Sequence, residues 1–102
     1  MAVLAKDDAG CEEAAQVLKA IAHPLRLRLV AILATGSMNV SGLAERLHTG
    51  QAQVSQQLRI LRMHKLVAAS RQHGFTIYRL AEPHLKKILR CLEDCIDSRR
   101  KS

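Results

Sequence analysis

Aromatic side chains are almost absent from this sequence of 102 residues, which contains one Phe, one Tyr and no Trp. That scarcity argues against a β-sandwich and against nucleic-acid-binding modules that stack bases on aromatic rings. Long apolar runs are also absent, since none approaches the ~20 residues of a membrane-spanning helix. Because the opening MAVLAKDDAG lacks the apolar region of a secretory signal, we expect a cytoplasmic protein with no membrane partner.

The chain is also poor in the residue groupings that catalysis and disulfide frameworks require. Its three cysteines are an odd number, which is typical of a protein kept in a reducing compartment. There is no glycine-rich phosphate loop, and the five histidines are scattered rather than grouped with a nucleophile and an acid. We therefore expect a protein that is not an enzyme and that needs no obligatory cofactor.

Length limits the protein to one small core, so we expect a single domain over residues 1–102. A mobile tail is expected at residues 1–10 and a frayed end at residues 98–102. The net charge of +7 is concentrated in residues 24–80, which hold eight basic residues and one acid, Glu45. Such a local excess is typical of a nucleic-acid-binding surface, although small proteins are often basic.

Apolar residues recur at helical spacing in four segments of the first two-thirds of the chain. These predicted helices span residues 12–21, 24–34, 41–48 and 51–66. Leu18 lies on the apolar side of the first, and Ala31 is among the residues that widen the apolar side of the second, which we expect to be deeply buried. Pro24 separates the first two, since proline disfavours helix at the residue before it and suits a first helical turn. Ser41 is the expected N-cap of the third helix, and His48-Thr49-Gly50 is the expected turn after it.

The third and fourth predicted helices, joined by a turn of a few residues, have the pattern of a helix-turn-helix. When the fourth helix is wound at ~100° per residue, its apolar residues Val54, Leu58 and Leu61 face inward. The residues on the opposite side and its flanks are Ala52, Gln53, Ser55, Gln56, Arg59 and Met63. A small, amide-bearing surface with one arginine suits the base edges of a major groove, and the alternative is a merely solvated face.

After residue 66 the apolar period changes from that of a helix to that of a strand. The segment VAASRQHGFTIYRL is typical of two short strands joined at His73-Gly74. Near the tip of this hairpin are Arg71, His73 and Thr76, which can contact the DNA backbone or the minor groove. Ala81-Glu82-Pro83 then opens a last helix, HLKKILRCLEDCIDS. The expected fold is mainly α with a small β-hairpin.

The order of elements, α-α-α-α-β-β-α, resembles the ArsR/SmtB family of winged-helix repressors over about residues 12–97. The stretches that carry the resemblance are LKAIAHPLRLRLVAIL, VSGLAERLHTGQAQVSQQLRILRMHKLV and GFTIYRL. The resemblance places four residues on the DNA-recognition helix: Gln51, Gln53, Ser55 and Gln56. Arg59 is added from the helical winding alone. Many members have His where this chain has Gln57, a departure that bears on the operator sequence.

The resemblance implies a homodimeric repressor that binds an inverted-repeat operator in double-stranded DNA and leaves it when an inducer binds. In the family the first and last helices form the dimer interface. The sequence supports this independently, because one side of the last helix is broadly apolar and a single small core cannot bury all of it. That apolar side comprises Leu85, Ile88, Leu89, Leu92 and Ile96.

Members of the family differ in where the inducer site lies. One version binds arsenic, lead or cadmium through a Cys-Val-Cys box, but the matching residues here are Asn39-Val40-Ser41. A second version binds zinc through Asp and His residues of the last helix. The matching positions here are Glu82, His84, Cys95 and Ser98. Because serine is a poor zinc ligand, the sequence does not favour this second site.

Two cysteines remain at helical spacing near the C-terminus. Cys91 and Cys95 are four residues apart on the last helix, so both lie on one face, at the margin of the apolar side. Cys11 comes just before the first predicted helix of the implied interface. Three thiolates without carboxylates suit a thiophilic ion, and arsenite or antimonite is the natural inducer. The third thiolate comes from the same or from the other subunit.

Three other functions fit parts of this pattern. The same fold could sense oxidants or persulfides, although such relatives usually place one cysteine in the second helix, where this chain has none. A zinc or cadmium sensor that uses the last helix is another alternative. The third is an architectural DNA-binding protein in which the cysteines are inert small apolar residues.

Overall fold

The computed structural model describes residues 2–101 and is mainly helical with a small antiparallel sheet. In chain order the elements are α1 (Ala2–Ala5), α2 (Asp8–Ile21), α3 (Pro24–Leu33), β1 (Met38–Asn39), α4 (Val40–Leu47), α5 (Gln51–Met63), β2 (Val67–Gln72), β3 (Phe75–Leu80) and α6 (Leu85–Arg100). Among these residues no helix is long and apolar enough to cross a bilayer.

The N-terminal segment forms the short helix α1, and α2 begins at Asp8, four residues before the helix start that the sequence predicted. The mobility predicted for residues 1–10 stays a prediction. A carboxylate oxygen of Asp7 accepts a hydrogen bond from the Gly10 amide at 2.9 Å, which caps α2 and lets it begin at Asp8. The apolar period did not reveal this start, because the first turn of α2 has no buried side chain. Met1 lies outside the described residues.

Asn39, rather than the predicted Ser41, is the N-cap of α4. Its side-chain oxygen accepts a hydrogen bond from the Gly42 amide at 2.8 Å. Asn39 has this position because it is also the last residue of β1, where it pairs with Ile77 of β3. Asn39 is thus the last residue of β1, and its side chain caps the start of α4.

The predicted hairpin is confirmed, and a third short strand extends it. The sheet has the order β1-β3-β2, and all pairs are antiparallel. His73 and Gly74 form the turn, with φ values of 51° and 84°. Two consecutive positive φ values match the right-handed twist of the strands that they join. β1 escaped prediction because two residues are too few to show an alternating pattern.

One apolar core joins α2 to α6 and the base of the hairpin. Its buried members are Ala20, Ile21, Leu29, Val30, Leu33, Leu43, Ala44, Leu47, Val54, Leu58, Leu61, Leu66, Val67, Leu85 and Leu89. The expected burial of α3 is only partly correct, because Ala31 is exposed where α6 leaves the core. Leu18 of α2 was also expected inside and is 55% exposed.

Only the first half of α6 packs against the core of its own protomer. Leu85 is fully buried and Leu89 nearly so, whereas Leu92 and Ile96 are 39% and 44% exposed. No residue from Arg90 to Arg100 is buried. The helix nevertheless continues into the segment 98–102, which the sequence predicted to be frayed; Ser102 lies outside the described residues.

Candidate nucleic-acid interface and cysteine site

The outer side of α5 is polar and exposed, as its winding predicts. Val54, Leu58 and Leu61 are fully buried and turn one side of the helix towards the core. The candidate residues Gln51, Gln53, Ser55, Gln56 and Arg59 are all exposed. Amides, a hydroxyl and a guanidinium can read base edges in a major groove, so α5 presents the chemistry expected of a recognition helix.

The turn between α4 and α5 fixes the angle of this helix pair. His48 ends α4 in the left-handed conformation with φ of 51°, and its amide donates to the Ala44 and Glu45 carbonyls. The side-chain Nε2 of Gln51 donates to the Ser41 hydroxyl at 3.1 Å, across the turn. Gln51 therefore braces the start of α5 as well as facing outward.

The hairpin brings two of its three candidate residues together. Arg71 and Thr76 are opposite each other on β2 and β3, and the Arg71 guanidinium donates to the Thr76 hydroxyl at 3.3 Å. His73 lies in the turn beyond them, and Phe75, the first residue of β3, is 59% exposed. The tip therefore offers an ordered arginine, a histidine and an aromatic ring at one end of the sheet.

Gln57 does not share the outer side of α5, although it lies between Gln56 and Leu58 in the sequence. It is half-buried, and its side-chain oxygen accepts a hydrogen bond from the Arg26 guanidinium of α3 at 2.8 Å. Sequence reasoning treated Gln57 only as a departure bearing on the operator and missed Arg26. A polar residue on the flank of an otherwise apolar helix side was the available signal.

The three cysteines are free and exposed, but they do not form a metal-binding cluster within one protomer. Cys91 and Cys95 lie one turn apart on α6, as predicted. Cys11 lies in the first turns of α2, and its thiol donates to the Leu4 carbonyl of α1 at 2.8 Å. Among residues 2–101 no group of three His, Cys, Asp or Glu side chains is close enough to hold a metal ion.

Two of the positions considered for zinc are paired with each other. A carboxylate oxygen of Glu82 accepts hydrogen bonds from the His84 amide at 3.0 Å and from His84 Nδ1 at 2.8 Å. The backbone bond, followed by the side-chain bond to the same histidine, lowers the pKa of Glu82 below its ordinary value. The pair therefore orders the start of α6.

Known proteins with similar sequences show which family this chain resembles. Residues 23–68 match the bacterial regulatory protein arsR family. The biofilm growth-associated repressor of Xylella fastidiosa is 36% identical over 80 residues, which are 78% of this chain and 70% of that protein. The regulator NmtR of Mycobacterium tuberculosis is 35% identical over 83 residues, which are 81% of this chain and 69% of that protein.

A solved structure has the same fold. It is the homodimeric winged helix-turn-helix DNA-binding domain of a possible ArsR-family regulator from Mycobacterium bovis. The TM-score is 0.81 at 26% identity, and the match covers 91% of this chain and 86% of that one. The predicted winged helix-turn-helix fold is thereby confirmed. The chain belongs to the ArsR family and is a DNA-binding transcriptional repressor rather than an enzyme.

Proposed function

We propose that this repressor acts in the cytoplasm as a homodimer on an inverted-repeat operator and releases it when arsenite or antimonite binds Cys91, Cys95 and Cys11. The whole chain, residues 1–102, serves as one DNA-binding domain. The observation that carries the inducer site is the exposed pair of thiols one turn apart on α6. These thiols lie on the half of the helix that has no core of its own.

The dimer interface is proposed to form from α1, α2 and α6. A groove of about 590 Å³ lies between α3 and α6, with Ala31, Leu92 and Ile96 on its walls. Its rim carries Lys86, Arg90 and Arg100, together with two acids. The exposed apolar and acidic residues of the N-terminal helices are Val3, Leu4, Asp8, Glu12, Glu13 and Leu18. Apolar side chains flanked by opposite charges support pairing of these surfaces between two copies.

The third thiolate is proposed to come from Cys11 of the partner subunit. Within one protomer the described residues form no three-ligand group, so a complete site needs a second chain. A homodimer that pairs α2 with α6 would bring Cys11 of one copy towards Cys91 and Cys95 of the other. The inducer site would then lie across the interface, where binding can change how the two copies are arranged.

The binding step is balanced without any oxidant. Arsenous acid, As(OH)₃, exchanges its three hydroxyl groups for three cysteine sulfurs, and the three thiol protons leave with them as three water molecules. Arsenic stays trivalent, and its lone pair completes a pyramid over the three sulfurs. Thiolate sulfur is the ligand that such a soft centre prefers.

Release of DNA is proposed to follow from movement of the N-terminal helices. Binding through Cys11 breaks its hydrogen bond to the Leu4 carbonyl and draws the start of α2 towards α6. The two recognition helices then lose their spacing of roughly 34–36 Å along the duplex. The inducer acts only if it binds this DNA-incompetent arrangement more tightly than the DNA-bound one.

Mass spectrometry of the intact protein with arsenite, before and after alkylation of the thiols, tests the site directly. The expected adduct is one arsenic for each set of three cysteines, and alkylation should abolish it. Cys91→Ser and Cys95→Ser should each keep DNA binding and lose arsenite-induced release, and Cys11→Ser should lose part or all of it. Asp94→Ser, an exposed change between the two cysteines, is the matched control.

Two outcomes would replace the metalloid proposal. Normal release by arsenite from both α6 variants would remove the thiol site altogether. If arsenite does not bind but oxidants or persulfides release DNA only when the cysteines are present, the exposed thiols act as a redox sensor instead. Zinc or cadmium binding that depends on His84 would favour the metal-sensing alternative.

A further inference from the structure

The guanidinium of Arg26, on α3, donates hydrogen bonds to two other helices, α2 and α5. Its Nε donates to the Ala20 carbonyl at 2.6 Å and one Nη to the Lys19 carbonyl at 3.4 Å. The other Nη donates to the Gln57 side-chain oxygen at 2.8 Å. One rigid planar group on α3 thus holds both the C-terminal end of α2 and the middle of α5.

The location suits a permanent positive charge. Lys19 and Ala20 belong to the last turn of α2, where the helix dipole is negative. The Lys19 carbonyl also accepts a hydrogen bond from the Ala22 amide at 3.3 Å, whereas the Ala20 carbonyl has no such donor four residues on, because residue 24 is a proline without an N–H. Arginine offers several donors in a fixed planar arrangement and stays charged at every physiological pH. Lysine would retain the charge, but its single ammonium cannot reproduce the arrangement of three guanidinium nitrogens that each donate to a different oxygen.

The Gln57 side chain is directed to α3 and not to the outer side of α5. It is half-buried, while Gln56 and Arg59 face outward from the same helix. The buried Val54 and Leu58 resist rotation of α5, but apolar contacts are not directional. A hydrogen bond to a fixed guanidinium adds the direction that they lack.

We infer that Arg26 is a positioning residue that sets the orientation of the recognition helix relative to α2, through Gln57. Because α2 belongs to the proposed dimer interface, the same guanidinium transmits displacement of α2 to α5. The positioning role rests on the contacts above. The transmission role rests also on the proposed function.

The positioning role is tested with two variants of Gln57 that differ in one property. Gln57→Met has a similar length but cannot accept a hydrogen bond at that oxygen, whereas Gln57→Glu keeps an acceptor for Arg26. Amide residual dipolar couplings report the orientation of α5 in the frame of α2. We expect a changed or broadened orientation in Gln57→Met and the unmodified orientation in Gln57→Glu.

DNA affinity provides the second readout, with a duplex selected from a random library by the unmodified protein as the probe. Gln57→Met and Arg26→Lys should each weaken binding about tenfold, the size expected for one hydrogen bond to a charged group. Their effects should not add in the double variant, because both remove the same contact. Arg28→Lys, an exposed change on the same helix, should leave affinity unchanged.

Three results would overturn the inference. Unchanged couplings and affinity in Gln57→Met would show that the bond does not orient α5. Equal displacement in the Met and Glu variants would assign the effect to side-chain packing. Full additivity of Gln57→Met and Arg26→Lys would separate the two residues. If Arg26→Lys fails to fold, the comparison of Gln57→Met with Gln57→Glu still tests the positioning role, since both variants leave the hydrogen bonds from Arg26 to the α2 carbonyls in place.

The transmission role has its own measurement. Gln57→Met should still bind arsenite through three sulfurs, as seen by mass spectrometry, but release DNA by a smaller factor than the unmodified protein. The same release factor would refute transmission through Gln57. Absence of any arsenite adduct on the unmodified protein would instead refute the proposed inducer, and the dipolar couplings would still decide the positioning role.

Discussion

Cys91 and Cys95 lie one turn apart on α6, and both thiols are exposed although Leu89 beside them on the same helix is buried. A pair held by regular helix geometry does not need to fold around its ligand. Two of the three sulfurs of the proposed site are thus fixed relative to each other before the inducer arrives, which reduces the entropy lost on binding.

The first prediction uses pH to separate a metalloid from a divalent metal. Exchange of arsenous acid with three thiols releases water and no net proton, so arsenite affinity should change little between mildly acidic and neutral pH. Zinc or cadmium must displace the thiol protons, so its affinity should fall as pH falls. Calorimetric titrations at several pH values, in buffers of different ionisation enthalpy, measure both the affinity and the number of protons released.

The second prediction concerns base reading by α5. Gln56→Ala and Arg59→Ala should each weaken binding to the selected duplex by about 1–3 kcal/mol, since each removes an exposed group able to contact a base edge. Met63→Ala, at the exposed end of the same helix, is the control. Fluorescence anisotropy with labelled duplex gives the affinities, and unchanged binding by both variants would exclude this side of α5.

The third prediction distinguishes the observed cap of α4 from the one that the sequence suggested. Asn39→Ala should lower the free energy of unfolding by ~1 kcal/mol, the usual value of a helix N-cap. Asn39→Asp should restore most of it, because a carboxylate accepts the same hydrogen bond from Gly42. Ser41→Ala should have a smaller effect. Urea denaturation followed by circular dichroism measures all three, and a larger loss at Ser41 than at Asn39 would contradict the structure.

The fourth prediction tests the proposed interface by comparing two exposed apolar residues. Ile96→Glu should dissociate the dimer, since it places an unpaired charge in the surface proposed to be covered. Phe75→Glu, on the hairpin tip and more exposed still, should leave the dimer intact. Sedimentation velocity resolves the two species. A monomeric unmodified protein, or an unaffected Ile96 variant, would refute α6 as the interface.

The fifth prediction follows from the Glu82–His84 pair. Because its pKa is lowered on folding, the Glu82 carboxylate stabilises the fold above its unfolded pKa, and this contribution is lost as pH falls through the folded value. In His84→Ala the pKa of Glu82 should stay below its ordinary value, since the hydrogen bond from the backbone amide is the largest cause of the lowering. Carbon-detected NMR titration of the Glu82 carboxyl tests this, and a return to the ordinary value in His84→Ala would show the imidazole to be dominant.

The sequence predicted best those features that depend on repeated spacing. Val54, Leu58 and Leu61 recur at the helical period, so the buried side of α5 and the exposed candidate residues opposite it were both correct. The same period failed for Leu18 and Ala31, because a spacing shows that a side is apolar but not which surface covers it. For the same reason the spacing of Leu92 and Ile96 predicted an apolar side of α6 but not that it would be exposed within the protomer.

Features formed by single contacts between distant residues were not predictable. Gln57 meets Arg26 across 31 positions of the chain, and its place on the flank of the apolar side does not indicate which residue it meets. β1 has two residues and exists only because β3 offers free backbone groups beside it. The cysteines could be placed on their helices, but whether they meet depends on a second chain.

If the proposed dimer covers the exposed half of α6, the stability of this protein depends on its concentration. Every residue from Arg90 to Lys101 is exposed within the protomer, and a short helix in water is only marginally stable by itself. Whatever covers these turns supplies their folding free energy by mass action, so the melting temperature should rise with protein concentration. A cell that dilutes the repressor would therefore lose ordered molecules as well as occupied operators, and its proteases would remove the excess of uncovered chains first.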